Sequence, residues 1–171
     1  AAGRAFVQGV TPGATVTLTG GHAAATAADW IDVVVDAAAA VEDSSLGLLA
    51  EFILVGRDVF KSIAHLTDST DRPIFALPNG GQAVNVAGSA NPVTATFNIA
   101  GLPGFVDPGL PANFVRIGAA EAISTLESPG APFRLDDDDV VSLTRAFSLY
   151  GYAAWTENDA NALVGVDVDG V

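Results

Sequence analysis

Two residue types are missing altogether: the 171-residue chain has a Cys count of 0 and a Met count of 0. Without cysteine there is no disulfide framework, no thiolate zinc site and no cysteine nucleophile. Without an initiating methionine, the chain is expected to be trimmed or to be a piece of a longer one. Its abrupt start in strand-like sequence favours the larger truncation. Cations are scarce, with 7 Lys+Arg against 20 Asp+Glu and a formal charge of -13. That balance argues against binding a phosphate backbone, which needs clustered cations, so no sequence-specific nucleic-acid partner is expected. It equally argues against anionic lipid. No apolar run approaches the roughly 20 residues of a membrane helix. The first residues, "AAGRAFVQGV", lack the basic-then-apolar pattern of a secretory signal.

What is present is a half-apolar chain, 50% hydrophobic by count and rich in Ala and Val. A chain of this length and apolarity builds a real core. "RAFVQGVTPGATVTLTGG" predicts two short strands around Thr11-Pro12-Gly13, closed by Gly20 and Gly21. Residues 24–41 predict a helix. Thr26 and Asp29 form a capping box, and Ala27, Trp30, Ile31, Val34, Ala38 and Val41 form one apolar stripe. Phe52–Val55 reads as a buried strand and is followed by a short helix with Asp58 in its first turn. That helix points Val59, Phe60, Ile63 and Leu66 inward. "TDSTD" and Pro73 then end it.

Residues 77–91 read as a loop. "PVTATFNIAGLPGFVDPGLP" reads as a strand followed by a Gly/Pro-rich edge, and "NFVRIGAAEAISTLESPG" as two strand-like pieces around a small-residue bend. Strict alternation from Val141 to Trp155 predicts a strand too long for a compact domain, so it bends at Gly151 or reaches outward. "ALVGVDV" makes a last strand. The sum is an α+β fold, a mixed or antiparallel sheet flanked by helices.

Candidate chemistry is thin. Asp136, Asp137, Asp138 and Asp139 would alternate faces on a strand and could not all reach one ion. They lack the glycine and distant Glu of a calcium loop, so a solvated turn that keeps an edge wet is expected. Asp29, Asp32 and Asp36 share a helix face near His22. A helix-borne metal site also needs ligands at matched spacing on a second helix, so this reads as a solvent face or one that meets a basic partner. His22 and His65 are the only histidines, and no serine sits in a G-x-S-x-G elbow. "LPNGG" is not followed by Lys-[Ser/Thr], and "GLPGFVDPG" does not open a helix. No enzyme, metal or cofactor is expected.

The order of the pieces carries more than any single motif. "FILVGRDVFKSIAHLTDSTDRPIF" resembles the strand–turn–helix–loop of tailed-bacteriophage major capsid proteins, with Leu66, Asp68, Arg72 and Phe75 on that family's Leu-x-Asp-x-x-x-Arg stretch and aromatic-ended strand. Gly101-Leu102-Pro103, "NFVRIGA", "SLYGYAAW" and "ALVGVDV" match its later landmarks in order. The resemblance runs from about Ala24 onward. It implies an axial capsomer-centre domain over residues 1–130 and closing strands, partly peripheral, over 131–171. The N-terminal arm, extended loop and spine helix of the family have no counterpart in the chain.

The implied function is that of a non-enzymatic shell subunit. It would self-assemble into pentamers and hexamers of an icosahedral phage head in the host cytoplasm, enclosing DNA. Scaffold, portal and decoration proteins are the further implied partners. Arg72 and Arg116 are candidate contacts to neighbouring subunits' acids. Competing readings are an encapsulin-type shell, which shares the fold, and an acidic calcium-binding module.

Overall fold

The computed structural model describes residues 8–76, 88–92, 94–139 and 144–169. Eight strands form one mixed sheet: β1 (Ala14–Thr17), β2 (Phe52–Val55), β3 (Phe75–Ala76), β4 (Gly88–Asn91), β5 (Thr96–Ile99), β6 (Leu102–Val106), β7 (Val115–Gly118) and β12 (Leu163–Asp167). Their spatial order is β1-β12-β7-β2-β6-β5-β4-β3. The pairs β1–β12, β2–β6 and β3–β4 are parallel and the rest antiparallel. A turn of helix, α1 (Gly21–Ala24), precedes α2 (Ala27–Ser44), and α3 (Arg57–Ala64) follows β2.

The capping box forms as the spacing predicts. Asp29 N–H donates to Thr26 Oγ1 at 3.3 Å, and Thr26 N–H donates to an Asp29 carboxylate oxygen at 2.7 Å. These bonds from the Thr26 backbone and side chain hold the Asp29 carboxyl below its ordinary range. The helix buries Ala27, Trp30, Val33, Val34, Ala37 and Val41 against β1, β12 and β7. Val33 and Ala37, at i+3 and i+7 from Trp30, belong to this stripe as well, while Ile31 packs half-buried at its edge and Ala38 is half-buried. Across this interface Trp30, Val34 and Val41 meet Ile53, Val55, Ile117 and Val164 in one continuous core, with Val59, Phe60 and Ile63 of α3 closing its far side.

Four expectations need correction. Residues 8–9 are helical rather than strand, so Thr11–Gly13 leads into one described strand and not out of another; the residues before them lie outside the described part. Gly88–Asn91 is a strand, whereas residues 77–87 of the expected loop lie outside the described part. The expected strand and Gly/Pro-rich edge are instead a hairpin, β5–β6, joined by Ala100-Gly101, both at positive φ (51° and 90°). Such a two-residue turn matches strand twist, but alanine at its first position hides it. Asn98 Oδ1 holds it by accepting from Gly101 N–H at 3.1 Å. Finally, Asp136–Asp139 is not a turn but part of β9 (Phe133–Asp139), which pairs with β10 (Thr144–Tyr150). Aspartate disfavours strands, so residue preference alone does not foretell this pairing.

Replacing the cap, Thr26→Ala, is expected to destabilise the chain by about 1 kcal/mol. Urea unfolding of the two proteins side by side measures this as a lowered midpoint at unchanged slope.

Candidate assembly surfaces

The second half of the chain leaves the sheet and returns to it. β8 (Ile123–Glu127) pairs antiparallel with β11 (Ala153–Glu157), and β9 pairs with β10 beyond them. Ser128 N–H donates to Tyr152 O at 2.9 Å across the interruption. The two pairs thus form one two-stranded ribbon, broken at residues 128–132 on one strand and at Gly151-Tyr152 on the other. The long strand expected from Val141 to Trp155 is thus interrupted at Gly151-Tyr152. A Cβ at Gly151 would sit 3.3 Å from Ala131 Cβ, which explains the small residue.

Ribbon register sorts its side chains. Phe133 lies opposite Tyr150 and Leu135 opposite Ser148, so Phe133, Leu135 and Tyr150 share one face. Tyr150 stacks against Phe133 at 5.3 Å between ring centroids and meets Tyr152 edge-on at 6.0 Å. Leu135, Tyr150 and Tyr152 are exposed. On the other face Arg134 lies 5.2 Å over the Phe147 ring and pairs with Asp136 at 2.7 Å, beside exposed Leu149. Both partners of that ion pair are solvated, so it adds little. Two strands alone are marginally stable in water. A ribbon with apolar groups exposed on both faces is built to be covered.

The two sequence-predicted contact arginines have different surroundings. Arg72 is exposed, and its backbone belongs to a tight turn. Asp68 Oδ1 accepts from Thr70 N–H and Thr70 Oγ1, each at 2.7 Å, and from Arg72 N–H at 3.1 Å. The Thr70 hydroxyl first, and these backbone donors after it, hold the Asp68 carboxyl below its ordinary value. The turn brings Thr67 beside Pro73 and delivers Phe75 to the core. This gives the Leu66–Asp68–Arg72–Phe75 spacing its physical meaning: half-buried anchor, turn organiser, outward cation, buried anchor.

Arg116, by contrast, is 9% exposed on β7. Its Nη2 donates to Val10 O at 2.9 Å, its guanidinium lies 5.4 Å over the Phe114 ring, and its Nη1 is buried without a partner among the described residues. Burial pushes its pKa below the ordinary arginine value. It thereby ties residues 8–13 across the sheet. Val10 packs there with Ala119, Ala122, Ala162 and Leu163, and Gly13 N–H donates to the carbonyls of Ala160 and Leu163 at 3.0 Å.

At the opposite end from the ribbon, Asp58 joins α3 to the loop before β7. One carboxylate oxygen accepts from Asn113 N–H at 2.7 Å, and Asn113 in turn donates from its side chain to Asp169. Burial pushes the Asp58 carboxyl up, but the bonds from Asn113 and Val59 and its own N–H, with nearby His22, leave it below the ordinary value. His22 Nδ1 lies 2.9 Å from Ser62 Oγ, while His65 is exposed at the end of α3. Asp32 and Asp36 are exposed on α2, and among the described residues no group of three or more His, Asp or Glu is placed to hold a metal.

No protein-family model and no curated protein matches the chain. Solved structures do. The capsid of an empty GTA particle superposes with a TM-score of 0.57 at 17% identity, over 89% of this chain and 48% of that one. The Synechococcus elongatus SrpI encapsulin complex gives 0.56 at 14% identity, over 94% and 55%. A structure of Gordonia phage Cozz gives 0.52 at 15% identity, over 92% and 50%. The chain spans about half the length of the structures it matches.

A depressed folded-state pKa at Asp58 stabilises above the ordinary aspartate value and is lost as pH falls through the folded one. Asp58→Asn should therefore lose less stability than the parent on acidification below about pH 4, read from melting temperatures between neutral and acid pH. At this level of identity it is the architecture that is shared: the chain has the α+β shell fold found in phage capsids and in an encapsulin.

Proposed function

We propose that the chain is the axial part, and a share of the peripheral part, of a major capsid protein: a structural subunit of a phage head that works by packing against copies of itself. The observation that carries this is the superposition of nearly the whole chain on shell subunits, with one half of each subunit's length unmatched. In this reading the eight-stranded sheet with its helices, including the returning β12, gathers at the capsomer centre. The β8–β11 ribbon with its β9–β10 extension reaches into the periphery. The exposed aromatic and aliphatic groups of the ribbon suit that role, because a shell covers them.

The acid surplus fits the same role. A lining of carboxylates does not adhere to packed DNA, whereas a basic one would. Arg72, exposed beyond its turn, is the candidate to meet an acid of a neighbouring subunit. Arg116 is buried and serves inside its own chain, so of the two candidate arginines it is the weaker contact. Scaffold, portal and decoration proteins are the further partners of such a subunit, the virion is its location, and its role is non-catalytic.

Expression of everything the gene encodes, followed by electron microscopy of the product, tests the proposal. Closed particles are expected, and a monomer at all concentrations would sink it. In particles, amide hydrogens of β9 and β10 should exchange slowly, whereas in dissociated chains they should exchange well before those of β2 and β7. Nucleic acid inside the particles separates a phage head from an encapsulin-type shell, which would hold a cargo protein instead.

A further inference from the structure

Basic groups are scarce in this chain, with 7 Lys+Arg and 2 His, yet three of them stand in one row on α3. Arg57, Lys61 and His65 follow one another at intervals of four, so they share a stripe, and all three are exposed. The rest of the helix fixes where that stripe points. Val59, Phe60 and Ile63 are buried toward the sheet, with the Phe60 ring 5.9 Å from Phe97 of β5. Ser62 faces α1, its Oγ lying 2.9 Å from His22 Nδ1. Arg57 and Lys61 are left on the side turned away from α1 and from the core.

The opposite sign stands on α2. Asp32 and Asp36 are exposed and begin a row of the same spacing, which continues through Ala40 to Ser44. Ser44 Oγ donates to Asn161 O at 2.6 Å, just ahead of β12. The row therefore leans toward β12 and the edge strand β1, the margin of the helix layer opposite α3. Among the described residues, none of Asp32, Asp36, Arg57 and Lys61 has an ion-pair partner within the chain.

We infer that these two rows meet between copies: the acidic row of α2 in one subunit lies along the basic row of α3 in the next. Exposed charge selects this occupant. Two acidic rows repel, two basic rows repel, and the unlike pair attracts. The spacing matches as well. Four residues rise about 6 Å along a helix, so Asp32 and Asp36 stand as far apart as Arg57 and Lys61 and pair with them one to one. Val35, exposed beside the acids, adds apolar surface to the contact. The two rows are different surfaces on opposite margins of the helix layer, so the contact is head-to-tail. Repeated around an axis, it closes into a ring. Solvated charge pairs set partner choice and orientation more than affinity, which leaves the apolar groups of the ribbon to supply strength. This inference rests on the shell-subunit reading and names which helices of the axial part touch.

Exchanging the charges tests it in the product of the whole gene. Arg57→Glu with Lys61→Glu, and separately Asp32→Lys with Asp36→Lys, should each keep the parent melting temperature and lose particles. All four substitutions together put opposite signs back across the contact at the parent's net charge, and should recover particles. Normal particles from either pair alone overturn the interface, and so does a fourfold variant that melts like the parent and stays dissociated. A carbodiimide reads the same contact with no substitution, because it joins a carboxylate to an amine with loss of water and Lys61 is the only lysine of the sequence. Peptide mapping of treated parent particles is expected to find Lys61 joined to Asp32 or Asp36, a link absent from treated dissociated chains. Particles in which Lys61 is joined to neither overturn the interface and leave the shell reading standing. Parent chains that form no particle overturn both.

Discussion

The structure turns on β7. All its residues, Val115 to Gly118, are buried, because both faces of this strand are covered. Val115 and Ile117 enter the core beneath α2 and α3. Arg116 and Gly118 point the other way, under residues 8–13 and the segment before β12. A Cβ on Gly118 would fall 2.5 Å from Ala162 O, so the backbone of residues 160–163 passes over that position. Two-sided burial makes β7 the place where the beginning, middle and end of the chain are joined. β2 and β12 pair on its flanks, and Val10 lies across it.

A buried arginine at such a junction is costly unless its donors are used. Nη2 has the Val10 carbonyl and the cation has the face of Phe114, while Nη1 is left over. An apolar residue could fill the space. The guanidinium adds direction, because it holds residues 8–13 at one height on the sheet. The second small core of Val10, Ala119, Ala122, Ala162 and Leu163 then forms around that tie. From this junction the chain exits into the ribbon at Ile123 and re-enters at Leu163.

The contrast between sheet and ribbon bears on function. The sheet buries its own apolar surface against helices. The ribbon does not, and Phe105 on β6 is likewise left half-exposed. Surfaces of this kind are unfavourable in a lone monomer and favourable in an assembly of identical copies. A net charge of -13 opposes non-specific association between chains.

Local chemistry made several elements legible in advance. The Thr26–Asp29 box marks the start of α2, continuous apolar character marks β2, and Gly56–Asp58 opens α3. Glycine marks the ribbon break at Gly151, and the mix of strand and helix patterns gives the α+β class. Each of these signals sits within a few residues. What stayed hidden depends on partners far along the chain. The strand character of Asp136–Asp139 comes from pairing with β10. The hairpin at Ala100-Gly101 comes from strand twist rather than residue preference. The inward role of Arg116 could not be read from its neighbours, since an arginine in a strand looks like a surface cation. Only the tertiary structure brings Val10 from 106 positions away to accept its hydrogen bond and exclude water.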